Sequence, residues 1–188
     1  AGIRNYSKTS DFLSGNLPLS LGSFDLLETT TLSTSASSIS FTGLGAYSDY
    51  KHLQVRAVLR ASGTFTLTNI DVDLNGDTGT NYYSHRLEGD GSSVVSSATN
   101  SYLRHQNTAP AGGAPTGTFG AFVMDVLDFS SAKNTTIRTL SGVYAGTNNK
   151  VALTSGFWNN TAAVTSISLD GGGLNWVAGS RFSLIGIK

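Results

Sequence analysis

The sequence predicts an all-β protein, an antiparallel β-sandwich of jelly-roll type with an extended N-terminal arm. The chain of 188 residues has 26 Ser, 22 Thr and 22 Gly but only two Glu, a composition that favours strands and turns over helices. Apolar and polar residues alternate at period two in several segments, and none has a convincing helical period. About ten short strands separated by turn clusters are typical of a sandwich or jelly roll.

Residues 1–23 are predicted to form the arm and residues 24–188 the sandwich domain. Glycines and a proline interrupt every period in the first segment, although it carries many large apolar side chains. An ordinary frayed terminus is the alternative, but a solvated tail does not need so many apolar groups. We therefore expect the arm to dock on another chain. The predicted partner-binding residues are Ile3, Tyr6, Phe12, Leu13, Leu17 and Leu19.

Alternation defines the strands along the chain. In 51–61 apolar residues alternate with Gln and Arg, and in 66–75 they alternate with Asp and Asn. The predicted strands are 37–42, 51–61, 66–75, 82–87, 119–129, 136–145, 151–158, 164–169 and 181–187, and 107–118 is predicted to be an exposed loop. The predicted turns are Asn75-Gly76, Gly89-Asp90-Gly91, Asn148-Asn149 and Gly171-Gly172-Gly173. The predicted core residues are Leu53, Val55, Leu59, Ile70, Val72, Leu74, Val123, Val143, Leu153, Ile167, Leu169, Phe182 and Leu184.

Charge and cysteine content disfavour several classes of protein. Twelve basic residues balance twelve acidic ones, and a nucleic-acid partner would normally require a basic excess. No polybasic tract, long apolar run or signal-peptide core is present, so neither a membrane partner nor Sec export is expected. The absence of cysteine excludes disulfides and cysteine nucleophiles.

One segment could hold calcium. Asp71, Asp73, Asn75 and Gly76 match part of an EF-hand loop. The twelfth position, however, is Tyr82 rather than glutamate, and the alternation spreads the carboxylates along a strand. The sequence therefore favours a strand followed by a hairpin, and we expect no metal and no cofactor.

The carboxylates could also form an acid–base pair of the glycosidase kind. Glu28, Glu88, Asp125 and Asp128 lie in or beside predicted strands, but no acid-rich, aromatic-lined segment accompanies them. No catalytic residues are predicted, and we expect the chain not to be an enzyme. Several aromatic residues could stack on sugars, although partial burial in the sandwich is the favoured interpretation. They are Tyr82, Tyr83, Tyr102, Trp158 and Trp176.

Three segments carry a resemblance to known proteins. They are Tyr50-Lys-His-Leu-Gln-Val-Arg, then Val72-Asp-Leu-Asn-Gly-Asp-Thr-Gly-Thr-Asn-Tyr with His85-Arg-Leu-Glu-Gly-Asp-Gly, and finally Ala178-Gly-Ser-Arg-Phe-Ser-Leu-Ile-Gly-Ile-Lys. In this order they resemble small virion structural proteins of tailed phages, notably those of cyanobacterial and other aquatic hosts. The likeness runs from residue 24 to the end, with Ile185 where that group has tyrosine. It implies a β-sandwich carried on the particle, with no catalytic residues to transfer.

The predicted function is that of a non-enzymatic bacteriophage virion protein, a capsid decoration or cement protein anchored through its arm. Its predicted location is the virion, on the capsid surface. Its partners would be other virion proteins, the major capsid protein or tail proteins, and self-association is left open. The alternative is a tail-associated receptor- or glycan-binding module in a fibre, tail tip or baseplate.

Overall fold

The computed structural model of the chain describes residues 23–188, which form twelve β-strands and a short 3-10 helix at Leu44–Tyr47. The strands are β1 (Phe24–Thr31), β2 (Ser38–Thr42), β3 (His52–Leu59), β4 (Leu67–Leu74), β5 (Tyr82–Gly89), β6 (Val94–Thr99), β7 (Leu103–Pro110), β8 (Gly120–Leu127), β9 (Thr135–Ala145), β10 (Asn148–Trp158), β11 (Ser166–Asp170) and β12 (Arg181–Ile187). Within this described part, no helix is long and apolar enough to cross a membrane.

The strands form two antiparallel sheets with the apolar core between them. The large sheet has the order β1-β12-β3-β8-β9-β10-β5-β6, and the small sheet has the order β2-β11-β4-β7. The pairs β1–β12, β2–β11, β3–β8 and β4–β7 fall alternately in the large and the small sheet. A long hairpin rolled up in this way is a jelly roll, so the predicted sandwich of jelly-roll type is confirmed. Residues 1–22 of the predicted arm lie outside the described residues.

Two inserted hairpins enlarge one of the sheets. The β5–β6 hairpin is inserted between β4 and β7, and the β9–β10 hairpin between β8 and β11. Because β9 pairs with β8 and β10 pairs with β5, the insertions continue the large sheet by four strands. We call β9, β10, β5 and β6 the extension. From the small sheet, β7 contacts the first three of these strands.

Most of the predicted core is confirmed. The positions with almost no exposed surface are Leu53, Val55, Leu59, Ile70, Val72, Leu74, Ile167, Leu169, Phe182 and Leu184, and Val143 is buried in a smaller cluster. Large aromatic side chains fill the remaining space between the sheets, and they include Phe41, Tyr82, Phe122, Phe129, Trp158 and Trp176.

The prediction that Val123 and Leu153 lie in the core is wrong. Both are on the face of the large sheet that points away from the small sheet, where Leu153 is 48% exposed. Their neighbours Phe122 and Ala152 point inward and are buried. In β10 the more apolar set of alternate residues faces outward, so alternation finds the strand but assigns the wrong face.

The prediction of an exposed loop at 107–118 is confirmed for most of 111–118 and wrong for 107–110. Strand β7 continues to Pro110, which pairs with Leu67 of β4. The following glycines allow a close approach between backbones, because a Cβ at Gly112 would lie 1.9 Å from the carbonyl oxygen of Gly63. Ala111 and Ala114 are consequently buried.

The connections between strands differ from the prediction at two places. No hairpin follows Asn75-Gly76, since β4 belongs to the small sheet and β5 to the large one. The β9–β10 turn lies at Gly146 and Thr147, so Asn148-Asn149 already belongs to β10. The turns at Gly89-Asp90-Gly91 and at 171–173 are confirmed.

His105 is the buried ionisable group with the clearest consequence for stability. Its ring on β7 is 1% exposed, packs against Phe122 at 5.2 Å between centroids and has Nδ1 3.2 Å from the Thr139 hydroxyl. Nε2 has no hydrogen-bond partner among the described residues. Burial disfavours the charged ring and lowers the pKa of His105 to about 4.

We therefore expect acid to destabilise the fold through His105. Between the ordinary pKa of 6.5 and the native value of about 4, the unfolded chain binds a proton that the native chain does not. The free energy of unfolding should fall as pH drops through this window, by about 3 kcal/mol. Urea unfolding at pH values across the window measures the fall, and His105→Gln should remove that part of it. The same substitution at the exposed His85 is the control, and an equal effect of both variants would contradict the prediction.

Candidate functional site

The outer face of the large sheet, which points away from the small sheet, carries large apolar side chains. Val123, Leu140, Leu153 and Leu87 lie side by side across β8, β9, β10 and β5. Valines of β3, β10 and β6 form a second row beside them. We call the exposed members of these rows the apolar band. They are Val58, Leu87, Val94, Leu140, Val151 and Leu153, each between 42 and 74% exposed.

Part of the inner face of the extension is polar. Thr139, Ser141 and Thr154 are buried there, together with Glu88. The Glu88 carboxylate accepts a hydrogen bond from Lys150 Nζ at 2.9 Å. A sheet with one solvated face normally places its polar residues on that face. In the extension this distribution is partly reversed, because Leu140, Leu153 and Leu87 face solvent although Ile137 and Trp158 are buried.

Next to the apolar band lies a groove of about 840 Å³ on the same outer face. Tyr83 on β5 and Phe157 on β10 are directly opposite each other, and their rings stack with centroids 5.1 Å apart and planes 11° apart. We call this the aromatic groove. Its lining is Tyr83, Ser84, His85, Ala98, Thr99, Asn100, Asn134, Thr136, Ser155, Gly156 and Phe157.

A polar row separates the groove from the apolar band. Asp125 and Arg138 are paired across β8 and β9, with Arg138 Nη2 2.7 Å from Asp125 Oδ2. Gln54 Nε2 also donates to Asp125, at 2.6 Å. Ser155 and His85 continue the row across β10 and β5. The charged groups of this row therefore neutralise each other beside the groove.

The turn between β4 and β5 positions the aromatic groove. The Asp77 carboxylate accepts hydrogen bonds from Trp158 Nε1 at 2.7 Å, from Asn81 Nδ2 at 2.9 Å and from the Gly79 amide at 2.9 Å. These bonds hold the pKa of Asp77 below its usual value, and the bond from Trp158 has the largest effect. Because Trp158 follows Phe157 and Tyr82 precedes Tyr83, the turn fixes the strand ends that carry the stacked rings.

The residues behind the family resemblance have structural roles. The Tyr82 hydroxyl accepts a hydrogen bond from the Leu74 amide and donates one to the Asp77 carbonyl, both at 2.9 Å. The Tyr50 ring covers Gly186, where a Cβ would lie 2.5 Å from the ring. Two of the resembling segments, far apart in sequence, meet at this contact.

The predicted site residues have different outcomes. The arm residues Ile3, Tyr6, Phe12, Leu13, Leu17 and Leu19 lie outside the described residues. No group of three or more potential metal ligands comes together in the described part of the chain. In the segment considered for calcium, Asp71 forms an ion pair with Arg104 at 2.6 Å, and Asp77 makes the turn contacts above.

Three of the carboxylates considered for hydrolysis have cationic partners. Asp125 pairs with Arg138, Glu88 with Lys150, and Asp128 with Lys133. Of the five aromatic residues considered for sugar stacking, Tyr82, Trp158 and Trp176 are buried, as favoured. Tyr83 and Tyr102 are 40 and 43% exposed, and the Tyr102 ring is covered by the Arg104 guanidinium at 4.3 Å.

The aromatic groove is not evident from the sequence. Phe157 lies within a predicted strand and is not among the aromatic residues considered for stacking on sugars, although it is the partner of Tyr83. Tyr83 lies 74 positions before Phe157 in the chain, and only the β5–β10 pairing brings the two residues together. The available signal was an aromatic residue on each of two predicted strands.

The Asp77 contacts give a prediction for stability. Asp77→Ala leaves the indole N–H of the buried Trp158 without its acceptor, which should lower the free energy of unfolding by about 1–3 kcal/mol. The control is Asp73→Asn on β4. Burial and the neighbouring Asp170, Asp71 and Asp77 raise the pKa of Asp73, so removing its charge should cost nothing or stabilise the fold. Urea unfolding at neutral pH measures both variants, and equal stabilities would contradict the assigned role of Asp77.

Comparison with known proteins assigns no family. No family model matches the chain, and no curated protein matches it. Among solved structures, an aerolysin-like protein of Bombina maxima aligns over 85% of this chain and 90% of its own length, with 7% identity and a TM-score of 0.11. A TM-score this low carries no information about fold or function.

Proposed function

We propose that the chain is a non-enzymatic structural protein of a bacteriophage virion, a capsid decoration or cement protein that packs against neighbouring virion proteins. The observation that carries the proposal is the apolar band on the outer face of the large sheet. Contiguous exposed apolar surface of this kind is characteristic of protein–protein interfaces. The phage assignment itself rests on the resemblance of the three sequence segments.

The placement of the band supports an interface. It lies mainly on the extension, where leucine and valine side chains face outward and the buried face is partly polar. Leu140 and Leu153 are direct cross-strand neighbours near its centre. If the band faced only water, these positions would gain nothing from large apolar side chains. A protein partner covering the band would bury them and supply binding free energy.

The sequence of the arm supports attachment near the same sheet. Residues 1–23 precede β1, which is an edge strand of the large sheet. Phe24 and Leu26 of β1 are 51 and 63% exposed. The apolar residues of the arm therefore join the molecule beside further exposed apolar side chains. Repeated copies that each use an arm and a sheet face would gain avidity on a particle.

The proposed partners are the major capsid protein or tail proteins, and self-association through the band would serve the same role. The balance of 12 basic and 12 acidic residues disfavours nucleic acid as a partner. The proposed location is the capsid surface of the virion. Copy number tests this location, because a lattice protein is present in hundreds of copies and a tail protein in far fewer.

The second candidate is a tail-associated receptor- or glycan-binding module. The aromatic groove favours it, because stacked exposed rings bordered by amides and hydroxyls are suited to small polar ligands. Electron microscopy of virions labelled with an antibody against this protein distinguishes the capsid from the tail.

Deleting residues 1–20 tests the arm. Since β1 begins at Phe24, the jelly roll should remain folded with a nearly unchanged melting temperature, whereas binding to particles that lack the protein should be abolished or greatly weakened. Sedimentation with particles measures the bound fraction. Full occupancy by the truncated protein would show that the arm is not the anchor and would favour the tail module.

A double substitution, Leu140→Thr with Leu153→Thr, tests the band. Both residues are exposed, so the free energy of unfolding should change by less than about 1 kcal/mol, and attachment to particles should weaken. The matched control is Ser40→Thr with Ser168→Thr, a cross-strand pair on the outer face of the small sheet. Leu184→Ala in the core should instead cost about 2–4 kcal/mol. Unchanged attachment of the double leucine variant would remove the band from the proposed interface.

A further inference from the structure

We propose that the aromatic groove binds a neutral oligosaccharide. The inference goes beyond attachment to the particle and applies to either position on the virion. It also supplies the ligand class that the second candidate function requires. Four features of the groove carry it, namely the stacked rings, the polar lining, the charge and the size.

The stacked rings provide a flat apolar surface. Tyr83 and Phe157 stand on the outer face of the sheet and stack on each other through one ring face each. Tyr83 remains 40% exposed and Phe157 partly exposed, so ring surface is available to a ligand. The C–H face of a pyranose ring is flat and apolar, and it matches an aromatic surface of this kind.

The side chains around the rings can bind hydroxyl groups. Asn100 borders the groove beyond β6, and Asn134 and Thr136 border it on the side of β9. Each amide offers two N–H donors and a carbonyl acceptor, which is the combination that sugar hydroxyls require. Asn134 is held by a hydrogen bond from its Nδ2 to Asn159 Oδ1 at 3.2 Å. Ser155 and Thr99 add hydroxyl groups to the lining.

The charge of the groove selects the class of sugar. None of its lining residues is Asp, Glu, Lys or Arg, and His85 is the one titratable side chain other than Tyr83. The nearest ion pair, Asp125–Arg138, is internally compensated. Phosphate, sulfate and carboxylate groups would find no fixed cation among the lining residues, so a neutral saccharide fits better than an acidic one.

The size and construction of the groove suit a short oligosaccharide. A volume of about 840 Å³ is within the range of small-molecule sites, and the groove is open along the sheet. Below the rings, β5 and β10 approach closely at Gly156, where a Cβ would lie 2.3 Å from the carbonyl oxygen of Tyr83. The rings are thus held on paired strands rather than on a loop.

The test uses the full chain and four neutral probes, the hexasaccharides of the cellulose, starch, chitin and laminarin series. Isothermal calorimetry and saturation-transfer NMR measure binding. At least one hexasaccharide should bind with a Kd below about 1 mM, and saturation of the aromatic protons of the protein should transfer to the C–H protons of the sugar. Dextran sulfate and oligogalacturonate are the acidic comparators and should bind more weakly.

Four variants locate the site. Tyr83→Ala and Asn100→Ala should each weaken binding by about tenfold or more, while Tyr83→Phe retains it. Asn100 lies just beyond strand β6, so its substitution keeps the proposal testable if the loss of the Tyr83 ring disturbs the sheet. The matched control is Tyr144→Ala, because Tyr144 is 77% exposed on the same sheet face outside the groove. This control should leave binding unchanged.

Several outcomes would overturn the proposal. They are no binding by any neutral hexasaccharide, tighter binding of the acidic probes, or equal effects of the Tyr83 and Tyr144 substitutions. Binding of an extended apolar peptide in preference to every sugar would assign the groove to a protein partner instead. The Tyr83→Ala variant should still attach to particles, because the proposed attachment uses the band and the arm. A negative result in the sugar assay would therefore overturn the binding of sugar without overturning the attachment.

Discussion

The hydrogen bond between Trp158 and the Asp77 carboxylate anchors the extension of the large sheet. The carboxylate lies in the turn that carries the chain from β4 in the small sheet to β5 in the large one. Through Trp158 Nε1 it also holds the end of β10. One side chain therefore joins the two inserted hairpins at the position where they meet the jelly roll. The aromatic groove and most of the apolar band lie on the strands of these two hairpins.

The partly polar interior of the extension explains why it needs such a contact. In the jelly roll proper, apolar side chains from both sheets fill the core. Under the extension, threonine and serine side chains and the Glu88–Lys150 pair are buried in addition to apolar residues such as Ile137 and Val143, and β7 of the small sheet contacts it. Such a layer contributes less apolar burial. Hydrogen bonds and strand pairing must hold the extension in place, and a partner on its outer face would add the missing apolar contact.

The jelly roll could be predicted from the sequence because strands such as β3, β4 and β12 line the core and alternate clearly between buried and more exposed side chains. Prediction failed where packing overrides the pattern. In β10 the alternation is strong, but Leu153 faces solvent, since nothing local reveals which face another sheet will cover. Strand β6 has no alternation because its side chains from Val94 to Ala98 are all exposed. The groove was out of reach because Tyr83 and Phe157 become neighbours only through the pairing of two inserted hairpins.

The position of β12 has a consequence for how the protein is made. This strand lies between β1 and β3, so the last strand of the described chain is an internal strand of the large sheet. During synthesis, β1 has no neighbour in its sheet until residues 181–187 have left the ribosome. Pairing across such a long sequence separation is slow, and incomplete sheets are prone to aggregate. The nascent chain thus leaves β1 and one edge of β3 unpaired until β12 has been synthesised.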